Sequence, residues 1–281
     1  MDPIIFLFIV FIVSVAAGFL GSLLGLGGGI IVVPVLTLLL HVNIHFAIGA
    51  SIVSVIATSS GAAAAYVKER ITNIRVGMFL EIATTLGAIS GAIVATLVQA
   101  SMLFIIFGIV LILSVIPLVR KIGEEFPSNV AGDSFARILN LKGRYYDEAV
   151  GKDIEYSADR VLTGFGMMYI AGLVSGLLGI GSGPFKVLAM DLVMRLPMKV
   201  STATSNFMIG VTAVGSAGIY FLRGDVNPFV AAPVALGVLL GAILGAKLLP
   251  KIRSNLIRKI FAVVLIMIAF QMIIRGFVVG V

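Results

Sequence analysis

Two glycine-rich stretches interrupt long apolar segments of the sequence, GLGGG at residues 25–29 and GIGSG at residues 179–183. Glycine adopts the positive φ angles that a break in a helix requires, and its missing side chain lets a ligand approach the backbone amides. A break also exposes N–H groups at the start of the next helical segment, where the helix dipole favours an anion. The predicted chemistry is therefore anion binding. A nucleotide-binding phosphate loop is excluded, because no Gly-Lys-Ser or Gly-Lys-Thr follows either stretch.

Two charged residues lie within apolar segments, where ionisable side chains are costly and usually face a cavity. Lys186 comes shortly after Gly183, and we interpret it as a fixed positive charge for an anion. Its alternatives are exposure at the membrane interface or pairing with Asp191. Glu81 is the candidate for carrying a coupling proton, and its alternative is contact with water at the membrane interface.

Hydroxyl and amide side chains near the glycine stretches add donors suited to an oxyanion, with interhelical hydrogen bonds as the alternative. These are Ser51, Ser182, Thr204, Ser205 and Asn206. Metal binding has little support, because His41 and His45 stand without a neighbouring carboxylate. An intramembrane enzyme would need a compact set of acid, base and nucleophile, and the nearest approach is HVNIH at residues 41–45 with Glu81. We therefore expect no metal site and no enzymatic activity.

The composition indicates which elements must position these residues. Of 281 residues, 60% are hydrophobic and 12% charged, with a mean hydropathy of +1.18, outside the range of soluble domains. Two apolar segments, residues 4–40 and 161–194, are much longer than the roughly 20 residues of one crossing, and they contain the glycine stretches. The sequence predicts an all-α polytopic integral membrane protein with glycine-broken or re-entrant helices. The N-terminus lacks the features of a cleaved signal peptide, so we expect a retained first helix.

The sequence also repeats itself. A shift of 154 residues, the separation of Gly29 and Gly183, aligns residues 17–112 with residues 171–266 without a gap. It superposes the two glycine stretches, and it also matches Ser51 with Ser205 and Thr58 with Thr212. We therefore expect a first membrane repeat at residues 1–119, a connecting loop at residues 120–160, and a second membrane repeat at residues 161–281.

The distribution of Lys and Arg predicts how the repeats are oriented. With five membrane segments in each repeat, the basic loops at residues 68–75, 120–160, 195–199 and 251–259 all lie on the cytoplasmic side. An odd number of segments inverts the second repeat, so that both breaks meet near the membrane midplane, as in many secondary transporters. The net charge of +7 thus reflects topology, and we expect no nucleic acid partner.

The connecting loop is expected to be a solvated connector, with a regulatory or partner-binding loop as the alternative. Close helix packing is the expected role of Gly87, Gly91, Gly237, Gly241 and Gly245.

The doubled motif carries a family resemblance. AGFLGSLLGLGGGIIVVPVL at residues 17–36, AGLVSGLLGIGSGPFKVLAM at residues 171–190 and GIYFLRGDVN at residues 218–227 resemble the sulfite exporter TauE/SafE family, also called the TSUP transporters. The resemblance implies a multi-pass permease of the plasma membrane for small sulfur-containing anions such as sulfite, thiosulfate or organosulfonates. It implies no organic cofactor and no ATP-binding domain, so transport would be uniport or coupled to protons.

The same resemblance selects glycine positions for substrate binding. They are Gly25, Gly27, Gly28, Gly29, Gly179, Gly181 and Gly183. Ser182 stands where a third glycine is common in the second copy of the family motif. An anion channel, or a transporter of another small carboxylate or inorganic anion, is the alternative function. The sequence leaves the substrate, the direction of transport and formation of a homo-oligomer open.

Overall fold

A computed structural model describes residues 3–24, 27–68, 71–120, 132–147, 151–248 and 254–279. Within these residues, seven helices are long and apolar enough to cross a membrane, and shorter apolar helices cover Gly29–Leu39 and Ala100–Val115. Strands are confined, in the same part of the chain, to one two-stranded hairpin. The prediction of an all-α polytopic membrane protein is therefore confirmed.

The elements fall into two similar series with a connector between them. The first series is α1 (Pro3–Leu24), α2 (Gly29–Pro34), α3 (Ile44–Lys68), α4 (Ile74–Ala95) and α5 (Ala100–Arg120). The connector holds α6 (Ser134–Ile138), β1 (Lys142–Asp147) and β2 (Lys152–Ser157). The second series is α7 (Val161–Leu178), α8 (Gly183–Leu188), α9 (Met198–Leu222), α10 (Pro228–Leu248) and α11 (Ser254–Val279). Helices α2 and α8 each continue into a π-helical turn, Val35–Leu39 and Ala189–Val193.

Helix boundaries follow the repeat of the sequence. Helices α2 and α8, their π-helical turns, and helices α3 and α9 begin and end at positions that the 154-residue shift superposes. Each overlong apolar segment thus forms a long helix, a glycine break and a short helical segment. The short segment, 11 residues including the π-helical turn, spans about 16 Å at 1.5 Å per residue, which is about half of the hydrocarbon thickness.

Glycines outside the breaks let helices from different series touch along their backbones. A Cβ atom added at Gly87 would collide with the carbonyl oxygen of Tyr169 on α7, and one at Gly91 with that of Leu173. Gly241 on α10 has the same relation to the Val15 carbonyl on α1. The backbones of Phe11 and Phe19 on α1 similarly approach the remaining two glycines of α10, Gly237 and Gly245. The expected packing role of these glycines is confirmed.

Contacts between the series also give the relative directions of the helices. Gly108 of α5 lies against Ala269 and Ile273 of α11, whereas Gly276 of α11 lies against Ser101 and Ile105 of α5, so these two helices are antiparallel. On α4 and α9 the residue numbers of the contacts increase in the same direction. Gly77 of α4 lies against Phe207 of α9, and Thr85 of α4 lies against Gly215 of α9, so this pair is parallel. Helices α5 and α11, which occupy equivalent positions in the repeat, thus run in opposite directions.

The described part of the connector is packed against the membrane helices. Strands β1 and β2 are antiparallel, with Asp147 opposite Lys152 at the turn end. The Lys199 ammonium at the start of α9 lies 2.8 Å from Asp147 Oδ1, and both side chains are largely buried. The Tyr145 hydroxyl donates to Asp147 Oδ2 at 3.1 Å. Tyr145 and Asp147 therefore differ from the solvated connector that the polar composition suggests, because they have partners on α9 and on each other, whereas the other charged side chains of the two strands are exposed.

Candidate functional site

The two glycine stretches lie against each other beside the middle of α3 and α9. A Cβ atom added at Gly27 would lie 3.5 Å from the carbonyl oxygen of Ile180, and 3.7 Å from the side chains of Val55 on α3 and Ile209 on α9. One added at Gly181 would approach the same two side chains to 2.7 and 2.6 Å. Gly27 and Gly181 have φ angles of 75° and 73°, which favour glycine. Both stretches are therefore turns in contact at mid-helix depth; Gly25 lies outside the described residues.

The remaining glycines of the two stretches contact both repeats. Gly28 faces Thr58 on α3 and Val238 on α10, at 3.2 and 3.0 Å from an added Cβ. A Cβ added at Gly29 would collide with the hydroxyl of Ser51 and lie 3.2 Å from the carbonyl oxygen of Gly179. Gly179 ends α7 with a φ of 66°. Gly29, Gly179 and Gly181 thus have no room for a Cβ atom where they meet α3.

Four of the predicted donor side chains form hydrogen bonds with backbone groups of other segments. Ser51 Oγ donates to the carbonyl oxygen of Gly179 at 2.7 Å, and Ser205 Oγ lies 3.5 Å from that of Gly183. Asn206 Nδ2 donates to the carbonyl oxygen of Ser22 at 2.8 Å. Thr204 Oγ1 accepts from the backbone N–H of Asn73 at 3.0 Å. These four side chains therefore form hydrogen bonds between segments, which was the alternative to binding an oxyanion.

Two buried oxygen atoms near the breaks have no hydrogen-bond partner among the described residues. They are Ser182 Oγ and Asn206 Oδ1. Ser182 has a φ of 51° and precedes α8, and its carbonyl oxygen accepts from the backbone N–H of Lys186 at 3.0 Å. A buried polar atom without a partner costs about 1–3 kcal/mol. Both atoms are thus available to a ligand or to water.

Lys186 is fully buried and pairs with Glu81 of α4. Its Nζ lies 3.7 Å from Glu81 Oε2 and donates to Thr212 Oγ1 at 2.5 Å. Thr212 Oγ1 in turn donates to Glu81 Oε1 at 2.6 Å, and Thr85 Oγ1 donates to the same oxygen at 2.9 Å. The alternatives that the sequence left open for these two residues are therefore wrong. Lys186 is buried instead of exposed at the membrane interface, and its partner is Glu81 instead of Asp191. Glu81 is only 7% exposed, so it is not in contact with interfacial water.

This charged cluster has no counterpart at the repeat-equivalent positions. The 154-residue shift matches Lys186 with Val32, Thr212 with Thr58, and Glu81 with Ala235. Val32 is buried, and Thr58 Oγ1 donates to a carbonyl of its own helix at 2.8 Å. Each repeat thus has its own glycine turn. The charged cluster, by contrast, combines α4 of the first repeat with α8 and α9 of the second.

Thr212 and Thr85 were missed as site residues by reasoning from the sequence. Thr212 was noticed only as a repeat match, although it stands three residues after Ile209, which contacts both glycine turns. Thr85 stands four residues after Glu81, a spacing that puts both on one helical face and could have indicated their contact.

The two histidines lie apart from this cluster, in the connection into α3. His41 is exposed with a φ of 53°, and the backbone N–H of His45 donates to Asn43 Oδ1 at 2.9 Å. Within the described residues, no group of three or more His, Asp and Glu side chains is arranged to hold a metal ion.

Comparison with known proteins identifies similar sequences over nearly the whole chain. Residues 10–272 match the family described as Sulfite exporter TauE/SafE. The Probable membrane transporter protein YunE of Bacillus subtilis (strain 168) is 32% identical over 275 residues, which cover 95% of this chain and 97% of that protein. The Probable membrane transporter protein YdhB of the same organism is 26% identical over 230 residues, 82% of this chain and 83% of that protein. No solved structure matches the chain significantly. These names point to membrane transporters and not to enzymes.

Proposed function

Because the chain belongs to the sulfite exporter TauE/SafE family and is a membrane transporter, we propose that it carries a small sulfur-containing anion by alternating access. Sulfite, thiosulfate and organosulfonates are the proposed substrate class. The observation that carries this proposal is the buried pair of Lys186 and Glu81 beside the two glycine turns. Family membership indicates a membrane transporter, and the buried ammonium group of the pair supports binding of an anion.

Lys186 is the proposed binding charge. An ionised side chain within a membrane is costly unless it is paired, and here its attraction is directed to a carboxylate that is 3.7 Å away. A small oxyanion offers the same negative charge with oxygen atoms at similar spacing, so it competes with Glu81 for the ammonium group. Ser182, one turn before Lys186, supplies a buried hydroxyl whose hydrogen has no acceptor among the described residues. Lys186 and Ser182 together thus provide a charge and a donor.

Glu81 is the proposed proton carrier. When an anion replaces it at Lys186, the carboxylate becomes a buried charge without a partner, which is strongly unfavourable. Taking up a proton removes that charge, so binding of the anion and protonation of Glu81 favour each other. The proposed cycle therefore moves the anion together with a proton, and Thr212 and Thr85 keep the carboxyl oriented while it is not bound to Lys186.

The directions of the helices support an inverted repeat around this site. The repeat-equivalent helices α5 and α11 are antiparallel, and α4 of one repeat is parallel to α9 of the other. Both directions are expected if the second repeat is turned over in the membrane, with each repeat crossing an odd number of times. The glycine turns then lie on the boundary between the repeats, and rocking of one repeat against the other would open the site to each side in turn.

Transport by the purified protein in proteoliposomes tests this function. We expect saturable uptake of radiolabelled thiosulfate, counterflow when the vesicles are preloaded with unlabelled thiosulfate, and competition by sulfite and sulfonates. Lys186→Met should abolish uptake, whereas Lys247→Met, which removes an exposed lysine from α10, should retain it. Wild-type uptake by the Lys186→Met protein would refute the role of Lys186. Uptake without counterflow would indicate a channel, and preference for carboxylates over all sulfur anions would refute the substrate class.

A further inference from the structure

A basic pocket lies where the connector meets the start of α4. Its volume is about 430 Å³, and it lies between the hairpin and the first turn of α4. It is lined by Arg75, Asn140, Lys142, Gly143, Arg144, Glu155 and Tyr156. Three cations thus face one carboxylate. In the part of the chain that the structure describes, none of these four charged side chains takes part in an ion pair, so the excess positive charge is not neutralised by the protein.

Tyr156 adds a hydrogen-bond donor to this pocket. Its hydroxyl oxygen accepts from Asn73 Nδ2 at 3.2 Å, which leaves the hydroxyl hydrogen free of any acceptor among the described residues. Burial raises the pKa of Tyr156, and the hydrogen bond from Asn73 only partly offsets this effect, so the phenol keeps its proton near neutral pH. The pocket therefore presents a neutral donor beside three cations.

We infer that this pocket binds a phosphate- or sulfate-type oxyanion on the connector side of the protein. Arginine presents several N–H donors in a planar arrangement that matches two oxygen atoms of such a group, and Arg75 and Arg144 supply two of these side chains. The volume exceeds that of a bare oxyanion and is in the range of pockets for small organic ligands. The oxyanion is either a free ion or the headgroup of an anionic lipid, because both present the same chemistry.

The wall of the pocket is attached to the helices of the membrane site. Asn73 caps α4 by accepting from the backbone N–H of Val76 at 3.1 Å, binds Thr204 of α9 through its own N–H, and contacts Tyr156. A bound oxyanion would therefore stabilise the contact of the hairpin with α4 and α9. The pocket shares no lining residue with the Lys186 cluster, so removing the charges of that cluster leaves the side chains of the pocket in place.

Binding of inorganic phosphate to the full-length protein in detergent, followed by isothermal titration calorimetry, tests this inference. The variant is Arg75→Gln/Arg144→Gln, and the control is Lys152→Gln, an exposed cation of the same hairpin outside the pocket. We expect the double variant to bind phosphate at least about tenfold more weakly, because it loses the charge-assisted hydrogen bonds of both guanidinium groups. The control should bind like wild type. Binding should also persist in Lys186→Met/Glu81→Gln, which separates this pocket from the membrane site.

The lipid source is tested with the same variants in nanodiscs. If the ligand is a headgroup, phosphatidylglycerol should stabilise the wild-type protein against thermal unfolding relative to phosphatidylcholine, and this difference should shrink in Arg75→Gln/Arg144→Gln but not in Lys152→Gln. A response in either the phosphate or the lipid experiment that depends on the two arginines supports the inference. Equal responses of the double variant and the wild-type protein in both experiments would overturn it.

Discussion

Replacing Lys186 by methionine is expected to destabilise the protein mainly through the carboxylate that it leaves behind. The two side chains of the pair with Glu81 are 0% and 9% exposed, and the charged atoms are 3.7 Å apart. At that separation and an effective dielectric constant of about 20, the attraction is about 4–5 kcal/mol. Removing one partner of a buried pair typically costs about 3–5 kcal/mol, because the remaining charge is uncompensated. We expect the free energy of unfolding to fall by a similar amount.

The double variant Lys186→Met/Glu81→Gln tests this reasoning, because it leaves neither charge in the interior. We expect it to recover most of the stability that Lys186→Met loses. The assay is a double-mutant cycle of unfolding free energies, measured by denaturant titration of the purified protein in detergent micelles. Lys247→Met is the control and should change stability by no more than about 0.5 kcal/mol. If the effects of the two single variants add within about 0.5 kcal/mol, the residues do not interact and the reasoning is refuted.

Three further predictions concern the glycine turns, Thr212 and the connector hairpin. Gly27→Ala and Gly181→Ala both place a side chain at a positive φ, at a cost of about 1–2 kcal/mol, but only Gly181→Ala also crowds neighbouring side chains. Gly181→Ala should therefore have the lower thermal unfolding temperature, and equal temperatures would contradict the packing. Thr212→Val should reduce thiosulfate uptake far more than Thr58→Val, its repeat equivalent, because only Thr212 contacts the charged pair; similar losses would contradict that role. Asp147→Asn should speed tryptic cleavage of the hairpin while leaving the secondary structure measured by circular dichroism unchanged, because it removes one charge of a buried ion pair; unchanged cleavage would contradict the pairing.

Hydropathy and local chain geometry made much of the fold predictable. Apolar segments of sufficient length form helices in a membrane because their backbone groups must be paired internally, and this depends on each segment alone. The glycine breaks were predictable for the same reason, since an overlong segment must be divided somewhere. The repeat then indicated that the two breaks correspond. Their contact in the structure, with Gly27 beside Ile180, agrees with that correspondence.

The charged pair was not predictable, because it depends on packing between distant segments. Lys186 of α8 and Glu81 of α4 come from different repeats, and both contact Thr212 of α9. From the sequence, Asp191 was the nearer acidic residue and thus the obvious partner. The hairpin was missed for a similar reason. Its six-residue strands are rich in charged residues, and their contacts with the helices are made by residues distant in sequence, such as Lys199 of α9 and Asn73 before α4.

The central claim is that Lys186 binds the transported anion in competition with Glu81. The most direct measurement is the rise in thermal unfolding temperature that thiosulfate causes in Glu81→Gln compared with the wild-type protein. Glu81→Gln removes the competing carboxylate, so thiosulfate should bind more tightly and stabilise this variant more at every concentration below saturation. All three proteins also carry Arg75→Gln/Arg144→Gln, which removes the cations of the connector pocket, and on this background no thiosulfate-dependent rise is expected in Lys186→Met/Glu81→Gln. An equal or smaller rise in Glu81→Gln than in wild type, or an undiminished rise in the double variant, would contradict the claim.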